Sequence, residues 1–462
     1  MEFSQLKAAA EQFAAQHERE IVADIARLVA IKSVRGAPQP GAPFGPGPRD
    51  ALQEALSLAA ARGLAAEDLE VVGRASTPGS GGKTVGIVAH LDVVPEGGGW
   101  NTDPYTLTER EGWLLGRGVA DDKGPAVLAI WAAKFFADLP QRPRHTIQVL
   151  LGTSEETGMS DLKQYLEAHP APDFSFTPDG SFPICNGEKG GFDGEFVSGP
   201  LEGVLAAFEG GLAANSVPDR AVAVVRLPAD SLPAAEDISV TADAQGARIE
   251  ARGIAGHASK PEGSRSAIGM VAAYLLENRL VDGKDRAALE LVRDLAVSHD
   301  GELLGIAARD EVFTPLTIIG GQIRMENGRL IQNFDCRYPT SITGEELEQR
   351  LGRRAQAAGM TLQNAVANPP FYIEPDSPPI LALRRTYREI TGRDDAPFTM
   401  GGGTYARRLP RAVSFGIGES GMERAPFVGS IHGANEGFPL KKLMESLVIF
   451  ICALGRLMEI DL

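Results

Sequence analysis

Cysteine is scarce: Cys185, Cys336 and Cys452 are the three in 462 residues, and no C-x-x-C pair exists. So few cysteines exclude a disulfide scaffold and fit a reducing, cytoplasmic compartment. Long apolar runs are missing as well. The longest near the C-terminus, residues 447–454, falls far short of the roughly 20 residues that a membrane span needs. The N-terminal stretch has charges spread through it and no apolar core, so it does not read as a signal peptide. An excess of positive charge is also lacking. Lys and Arg number 45 against 61 Asp and Glu, a formal net charge of −16. Nucleic-acid binding needs clustered Lys and Arg, so neither nucleic acid nor membrane is expected as a partner.

What is present is ordinary globular material, 43% apolar and 23% charged. The length suggests two or three domains at roughly 100–200 residues each. Helical spacing predicts helices over 3–32, 50–62 and 123–139, with a Pro/Gly-rich loop at 36–48. Apolar runs predict buried strands over 84–90, 146–153 and 173–177. Strands alternating with helices indicate an α/β class, a mixed sheet between helices. After about residue 185 the pattern changes to runs of strands followed by helices: strands at 192–197, 221–227 and 247–253 and a helix at 266–276, then strands at 317–323 and 328–338 and a helix at 344–358. That order indicates an inserted α+β module. Gly210-Gly211 and Gly320-Gly321 each precede a strand, a hint of duplication. The α/β pattern resumes with a helix at 380–391, a strand at 412–417 and a final helix at 440–457. The expected division is 1–184 with 371–462 as one domain and 185–370 as the insertion, built as two lobes.

Polar residues gather where the apolar strands end: His90 and Asp92 after the first, Glu155 and Glu156 after the second, Asp179 after the third, and His432 in the loop beyond 412–417. Asp121 sits where a loop enters a helix. Ligands of open α/β sheets bind outside the carboxyl ends of the strands. Taken singly, each has a plainer reading. Asp122 reads as a helix N-cap, and His17, His145, His169 and His299 as core or surface residues. Adjacent carboxylates at Glu155-Glu156 repel one another unless a cation offsets them. There is no H-E-x-x-H, the helical signature of a mononuclear zinc peptidase. Five ligands, His90, Asp121, Glu156, Asp179 and His432, with one shared carboxylate, can satisfy two metal ions. Asp92 lies two residues from His90, on the same side of an extended chain. Its carboxylate can accept the far N–H of the imidazole.

These segments resemble the co-catalytic zinc metallopeptidase family that includes aminoacylase, acetylornithine deacetylase and glutamate carboxypeptidase. The matching stretches are Ala89-His90-Leu91-Asp92, Gly116-Arg117-Gly118-Val119-Ala120-Asp121-Asp122-Lys123-Gly124, Ser154-Glu155-Glu156-Thr157-Gly158, Thr177-Pro178-Asp179-Gly180 and His432-Gly433-Ala434-Asn435-Glu436. Asn215-Ser216-Val217-Pro218, Gly256-His257-Ala258-Ser259, Arg337-Tyr338-Pro339 and Gly401 to Arg407 resemble the bacterial dipeptidase V, carnosinase-like branch. The segment 418–431 has no evident counterpart there.

The resemblance implies a zinc-peptidase-like catalytic domain interrupted by a lid. It implies two Zn²⁺ per chain, with Mn²⁺ or Co²⁺ as alternatives. Asp121 bridges them, His90 and Asp179 complete one site, and Glu156 and His432 the other. Glu155 is the implied general base, and the Asp121–Asp122 peptide is implied to be cis. Asn215, His257 and Arg337 would meet the substrate, with His257 stabilising an oxyanion and Arg337 gripping a terminal carboxylate. The amides of Gly401, Gly402, Gly403 and Thr404 would add an anion-binding nest. The expected activity is hydrolysis of short unblocked peptides. The alternative is an amidohydrolase acting on N-acyl amino acids such as acetylornithine or succinyl-diaminopimelate. A silent binding protein would be expected to lose Glu155 or a ligand, and all six positions are filled. An insertion this long exceeds the roughly 100 residues of one lobe, so its second lobe can stand in for a partner chain, and a monomer is expected.

Overall fold

The computed structural model describes residues 2–419 and 421–462. Met1 and Ser420, the latter within the unassigned segment 418–431, lie outside the described residues. The chain divides into two compact units. One comprises Met1–Gly187, Tyr372–Phe398 and Gly403–Leu462; the other comprises Glu188–Phe371 and Thr399–Gly402.

The first unit is α/β. Its sheet runs in the order Ala65–Leu69, Val72–Thr77, Thr146–Gly152, Thr84–His90, Phe174–Thr177, Ala412–Ser414. The last four of these are mutually parallel, and the first two pair antiparallel. Parallel strands covered on both faces are near-continuous apolar runs, and Thr84–His90 is buried at every residue after the first. Against the sheet lies the helix Lys123–Ala137, in which Gly124 to Ala133 are all buried. A helix apolar all round belongs inside the core. The long helices Phe3–Val29 and Leu440–Leu457 pack on it in turn. The helix expected at 50–62 begins earlier, spanning Pro46–Ala61, with a proline in its first turn. Pro46 falls in the stretch 36–48 expected as loop. Proline is well suited to a helix start, because its missing N–H would be unpaired there anyway. The strand expected at 412–417 is shorter, Ala412–Ser414, and the chain then turns through Gly416. A side chain at Gly416 would meet the Gly180 backbone at 2.4 Å.

The second unit is α+β. One antiparallel nine-stranded sheet holds, in order, Ile238–Asp243, Gly246–Arg252, Arg220–Val225, Leu205–Gly210, Ile323–Glu326, Arg329–Tyr338, Gly190–Pro200 and Met360–Asn368, with Thr317–Ile319 on Arg329–Tyr338. Helices Ala267–Glu277, Gly283–Val297 and Gly344–Ala357 lie among these strands in the sequence, the last closed by a capping box between Thr343 and Glu346. Two apolar clusters form, one around Phe208, Ile249 and Leu275, the other around Phe196, Phe334 and Leu347. The two Gly-Gly pairs meet: a Cβ on Gly211, whose φ is +80°, would lie 1.8 Å from the carbonyl oxygen of Gly321. All three cysteines are buried and unbonded to one another. Among the described residues, no helix is long and apolar enough to cross a membrane.

Candidate metal centre

The carboxyl ends of the parallel strands carry the polar residues of the first unit. His90 is the last residue of Thr84–His90, Glu155 and Glu156 follow Thr146–Gly152, and Asp179 follows Phe174–Thr177. Asp121 lies just before the helix at Lys123, and the Asp121–Asp122 peptide is cis. His432 comes from a loop and adopts φ +65°.

Asp121 stands between the two histidines. Its Oδ1 is 2.9 Å from His90 Nε2 and its Oδ2 is 2.9 Å from His432 Nε2. On the His90 side, Asp179 Oδ2 is 3.9 Å from the same Nε2. On the other side, Glu156 Oε1 is 3.1 Å from His432 Nε2. His90, Asp121 and Glu156 bring one ligand atom each within 4.8 Å of one another, and so do His90, Glu155 and Asp179.

The charge balance follows from this crowding. Hydrogen bonds to Asp121 and Glu156 push the His432 pKa up to about 10. Burial works against the charge of His90, yet the Asp121 carboxylate lifts its pKa well above the ordinary imidazole value. Burial alone would raise the Asp121 pKa; its two imidazole partners hold it below the usual carboxylate range. Glu155 is pushed well above that range by burial and by the charges of Asp179 and Glu156. Several carboxylates thus converge around two imidazoles, and the buried Glu156 Oε1 has His432 Nε2 beside it at 3.1 Å. Imidazole nitrogens with carboxylate oxygens suit Zn²⁺, Mn²⁺ or Co²⁺, and a divalent cation would relieve the repulsion. The residues present fit a metal.

Two sequence-based expectations change. The Asp92 carboxylate stands 3.6 Å from His90 Nδ1, too far for a hydrogen bond. That nitrogen meets the main-chain oxygen of Asp92 at 2.9 Å instead. The strand ends at His90, so the strict alternation behind the expectation no longer applies. The Asp92 carboxylate accepts the N–H groups of Glu155 (3.0 Å) and Glu156 (3.1 Å). Asp122 makes no side-chain cap; its Oδ2 accepts the His90 N–H at 3.1 Å. His17, His145 and His169 are engaged elsewhere, with Glu20, with the Ile460 carbonyl and against the Tyr165 ring.

Sequence reasoning missed Asp161 and Tyr405. Asp161 Oδ2 accepts the N–H groups of Thr153 (2.5 Å) and Ser154 (2.9 Å) and the Tyr405 hydroxyl. With Asp92 it holds four consecutive amides, 153 to 156, which fixes the backbone that presents Glu155 and Glu156. The Tyr405 hydroxyl approaches so closely that a Cβ on Gly152 would lie 1.9 Å from it. Asp161 lies nine residues after the strand Thr146–Gly152, and its burial carries no mark in the sequence.

The remaining predicted residues are placed as follows. In the second unit, Ser216 pairs with His257 in a two-stranded ribbon, which sets Asn215 beside that histidine, and Asn215 carbonyl accepts the Ala258 N–H. The Ser259 N–H donates to His257 Nδ1 at 3.1 Å, so the neutral ring carries its proton on Nε2. Arg337 directs Nε and Nη2 at the Asp335 carboxylate, both at 2.7 Å. A substrate carboxylate would therefore have to use its Nη1 edge. Gly402 belongs to the second unit and Gly403 to the first. Thr404 Oγ1 caps the short turn Tyr405–Arg408 by accepting the Ala406 N–H.

A mixed sheet with carboxylates and imidazoles at the carboxyl ends of its four parallel strands, and an inserted antiparallel module, defines an α/β metallopeptidase-type fold. The chain belongs to peptidase family M20/M25/M40, whose sequence profile matches residues 86–456. It is 30% identical to a putative dipeptidase of Staphylococcus saprophyticus, over 96% of this chain and 98% of that one. Its fold is similar to that of human carnosine dipeptidase 1, with a TM-score of 0.57 and 19% identity over 98% of this chain and 99% of that one. It is similar also to the dipeptidase Dug1p of Saccharomyces cerevisiae, with a TM-score of 0.61 and 14% identity over the whole of both chains.

Proposed function

We propose that the chain is a metal-dependent dipeptidase that hydrolyses the peptide bond of short unblocked peptides. The observation that carries this reading is the Asp121 carboxylate, with one oxygen 2.9 Å from each of two histidines that have further carboxylates beside them. His90 and Asp179 would hold one divalent ion, Glu156 and His432 a second, and Asp121 both. Such a pair, when bound, acidifies a water and polarises the scissile carbonyl.

Glu155 takes the water's proton and returns it to the leaving amine. Burial and the neighbouring carboxylates raise its pKa above the usual carboxylate range, which favours its holding a proton between the two transfers. Asp92 and Asp161 keep Glu155 aimed by holding the amides around it. From the inserted unit, taken as a lid, His257 offers Nε2–H to the developing oxyanion. Asn215, the Nη1 edge of Arg337 and the Gly402–Thr404 stretch receive the substrate's terminal carboxylate. The relatives named as dipeptidases support this choice of substrate.

The test is elemental analysis together with a panel of dipeptides and N-acyl amino acids. Two ions per chain and turnover of free dipeptides are expected. Chelation should abolish activity, and Zn²⁺, Mn²⁺ or Co²⁺ should restore it. Glu155→Gln should lose about 10²–10⁴-fold in kcat with normal metal content. Full activity after verified metal removal would overturn the reading, and turnover of N-acyl amino acids alone would make the enzyme an amidohydrolase.

A further inference from the structure

Glu436 ends the His432 motif, and nothing above gives it a role. It is buried, with only 1% of its side chain exposed, as is that of its partner Arg117. Its Oε1 accepts three N–H groups of the loop that carries Asp121: Gly118 at 3.1 Å, Ala120 at 3.1 Å and Asp121 itself at 3.2 Å. Its Oε2 accepts from Arg117 Nη1 at 2.6 Å. The same guanidinium donates through Nη2 to the carbonyl of His432 at 3.2 Å, and to those of Pro95 and Glu96. One ion pair therefore grips the backbone of both residues that face each other across the centre.

His432 needs such a grip. Its φ of +65° is a conformation that a side chain other than glycine adopts at a cost. Asn435, at φ +59°, is held by its own contact, accepting the Asn101 N–H at 2.7 Å. No strand or helix fixes His432, whose side chain is 52% exposed. His90, by contrast, is locked by the sheet.

We propose that Glu436 and Arg117 are positioning residues that set the spacing between Asp121 and His432, and thereby the affinity of the ion on the Glu156–His432 side. The proposal rests on the two-ion reading above. The ion on the His90–Asp179 side shares Asp121 with the other but has its remaining two ligands carried by strand ends, so it depends on the pair far less. Partners that orient metal ligands typically change affinity 10–100-fold when lost.

The test is zinc titration of apo-protein, with stoichiometry by elemental analysis, on wild type, Glu436→Gln and Arg117→Lys. Glutamine can still accept the loop amides, but its NH₂ faces the Arg117 donor. Lysine keeps the charge but cannot reach Glu436 and the His432 carbonyl together. The expected result is one dissociation constant raised 10–100-fold and the other unchanged, with the circular dichroism of wild type. Two unchanged constants in a folded variant would overturn the proposal. So would equal weakening of both ions, or failure of both variants to fold, since either makes the pair merely structural. A wild type that binds fewer than two ions would instead refute the two-ion reading itself, and the proposal with it.

Discussion

Asp92→Asn separates two ways in which one carboxylate could serve the centre. Its Oδ1 and Oδ2 each accept one amide N–H, from Glu155 and Glu156. Asparagine offers one oxygen and one NH₂ group, so one of those buried amides would face a donor. A hydrogen bond to a charged group contributes about 1.5–3 kcal/mol, and a buried donor left unpaired costs a similar amount. At about 1.4 kcal/mol per factor of ten, expression of that loss in the transition state lowers kcat about 10–100-fold. His90 should be little affected, because its Nδ1 meets the Asp92 main-chain oxygen, which the substitution leaves in place. Metal content should therefore stay near that of wild type. The assay is kcat on a free dipeptide, with elemental analysis of the same sample. Unchanged kcat would refute the amide-holding role. Loss of the ion on the His90–Asp179 side, which Glu156 does not hold, would show that Asp92 acts through the imidazole after all.

Asp24 accepts both nitrogens of an Arg62 fork and the Trp131 indole N–H, each at 3.0 Å, in the core of the first unit. Asp24→Ala leaves the buried Trp131 N–H unpaired and takes one of its two carboxylates from the partly exposed Arg62, and should cost about 1–3 kcal/mol in denaturant unfolding; a loss below about 1 kcal/mol would mean water replaces the carboxylate. Glu96 has its pKa lowered to about 2, chiefly by the hydrogen bond from Lys32. A depressed carboxylate pKa gives stability that is present above the ordinary value and is lost as pH falls from about 4.5 towards 2. The pair is partly exposed, so Glu96→Gln should lower stability by no more than about 1 kcal/mol at pH 7, and the gap should close by pH 2; a gap that persists there would remove the charge from the explanation. For assembly, light scattering should give a mass near 49.0 kDa. Mixing Glu155→Gln with His257→Ala should restore no activity, and restoration would require sites shared between chains.

The legible parts of the fold were those whose sequence pattern is dictated by burial alone. Thr84–His90, Thr146–Gly152 and Phe174–Thr177 are enclosed on both faces and so read as apolar runs. Ala65–Leu69, at the edge of the same sheet, is exposed along nearly its whole length. Its Ala-Ala-Glu-Asp carries no strand preference, and pairing with Val72–Thr77 imposes the conformation. The helix Gly283–Val297 is not among the expected elements, although Leu289, Val292 and Leu295–Ala296 recur at helical spacing. Its first turn holds Gly, Lys and Asp, and no side chain caps its start, so nothing marked the beginning.

Carboxylates at the centre divide into two kinds that a sequence cannot tell apart. Asp121, Glu155, Glu156 and Asp179 face one another and the imidazoles. Asp92, Asp161 and Glu436 face backbone amides, two or three each. Both kinds follow strand ends or flank a ligand, and both include buried members. What separates them is where the donors lie, which depends on the path of loops after each strand stops. An amide-facing carboxylate is paired within the protein and adds nothing to the demand for a cation. Those that face each other lack such amide partners: Glu155 is pushed towards its neutral form, and Glu156 Oε1 depends on the His432 imidazole 3.1 Å away. The net demand for positive charge therefore falls on the second group alone, and it is met where His90 and His432 converge on Asp121. The same division explains why Asp92→Asn should spare the metals while Asp121→Ala should lose them: one carboxylate shapes the loop, and the other bears the unmatched charge.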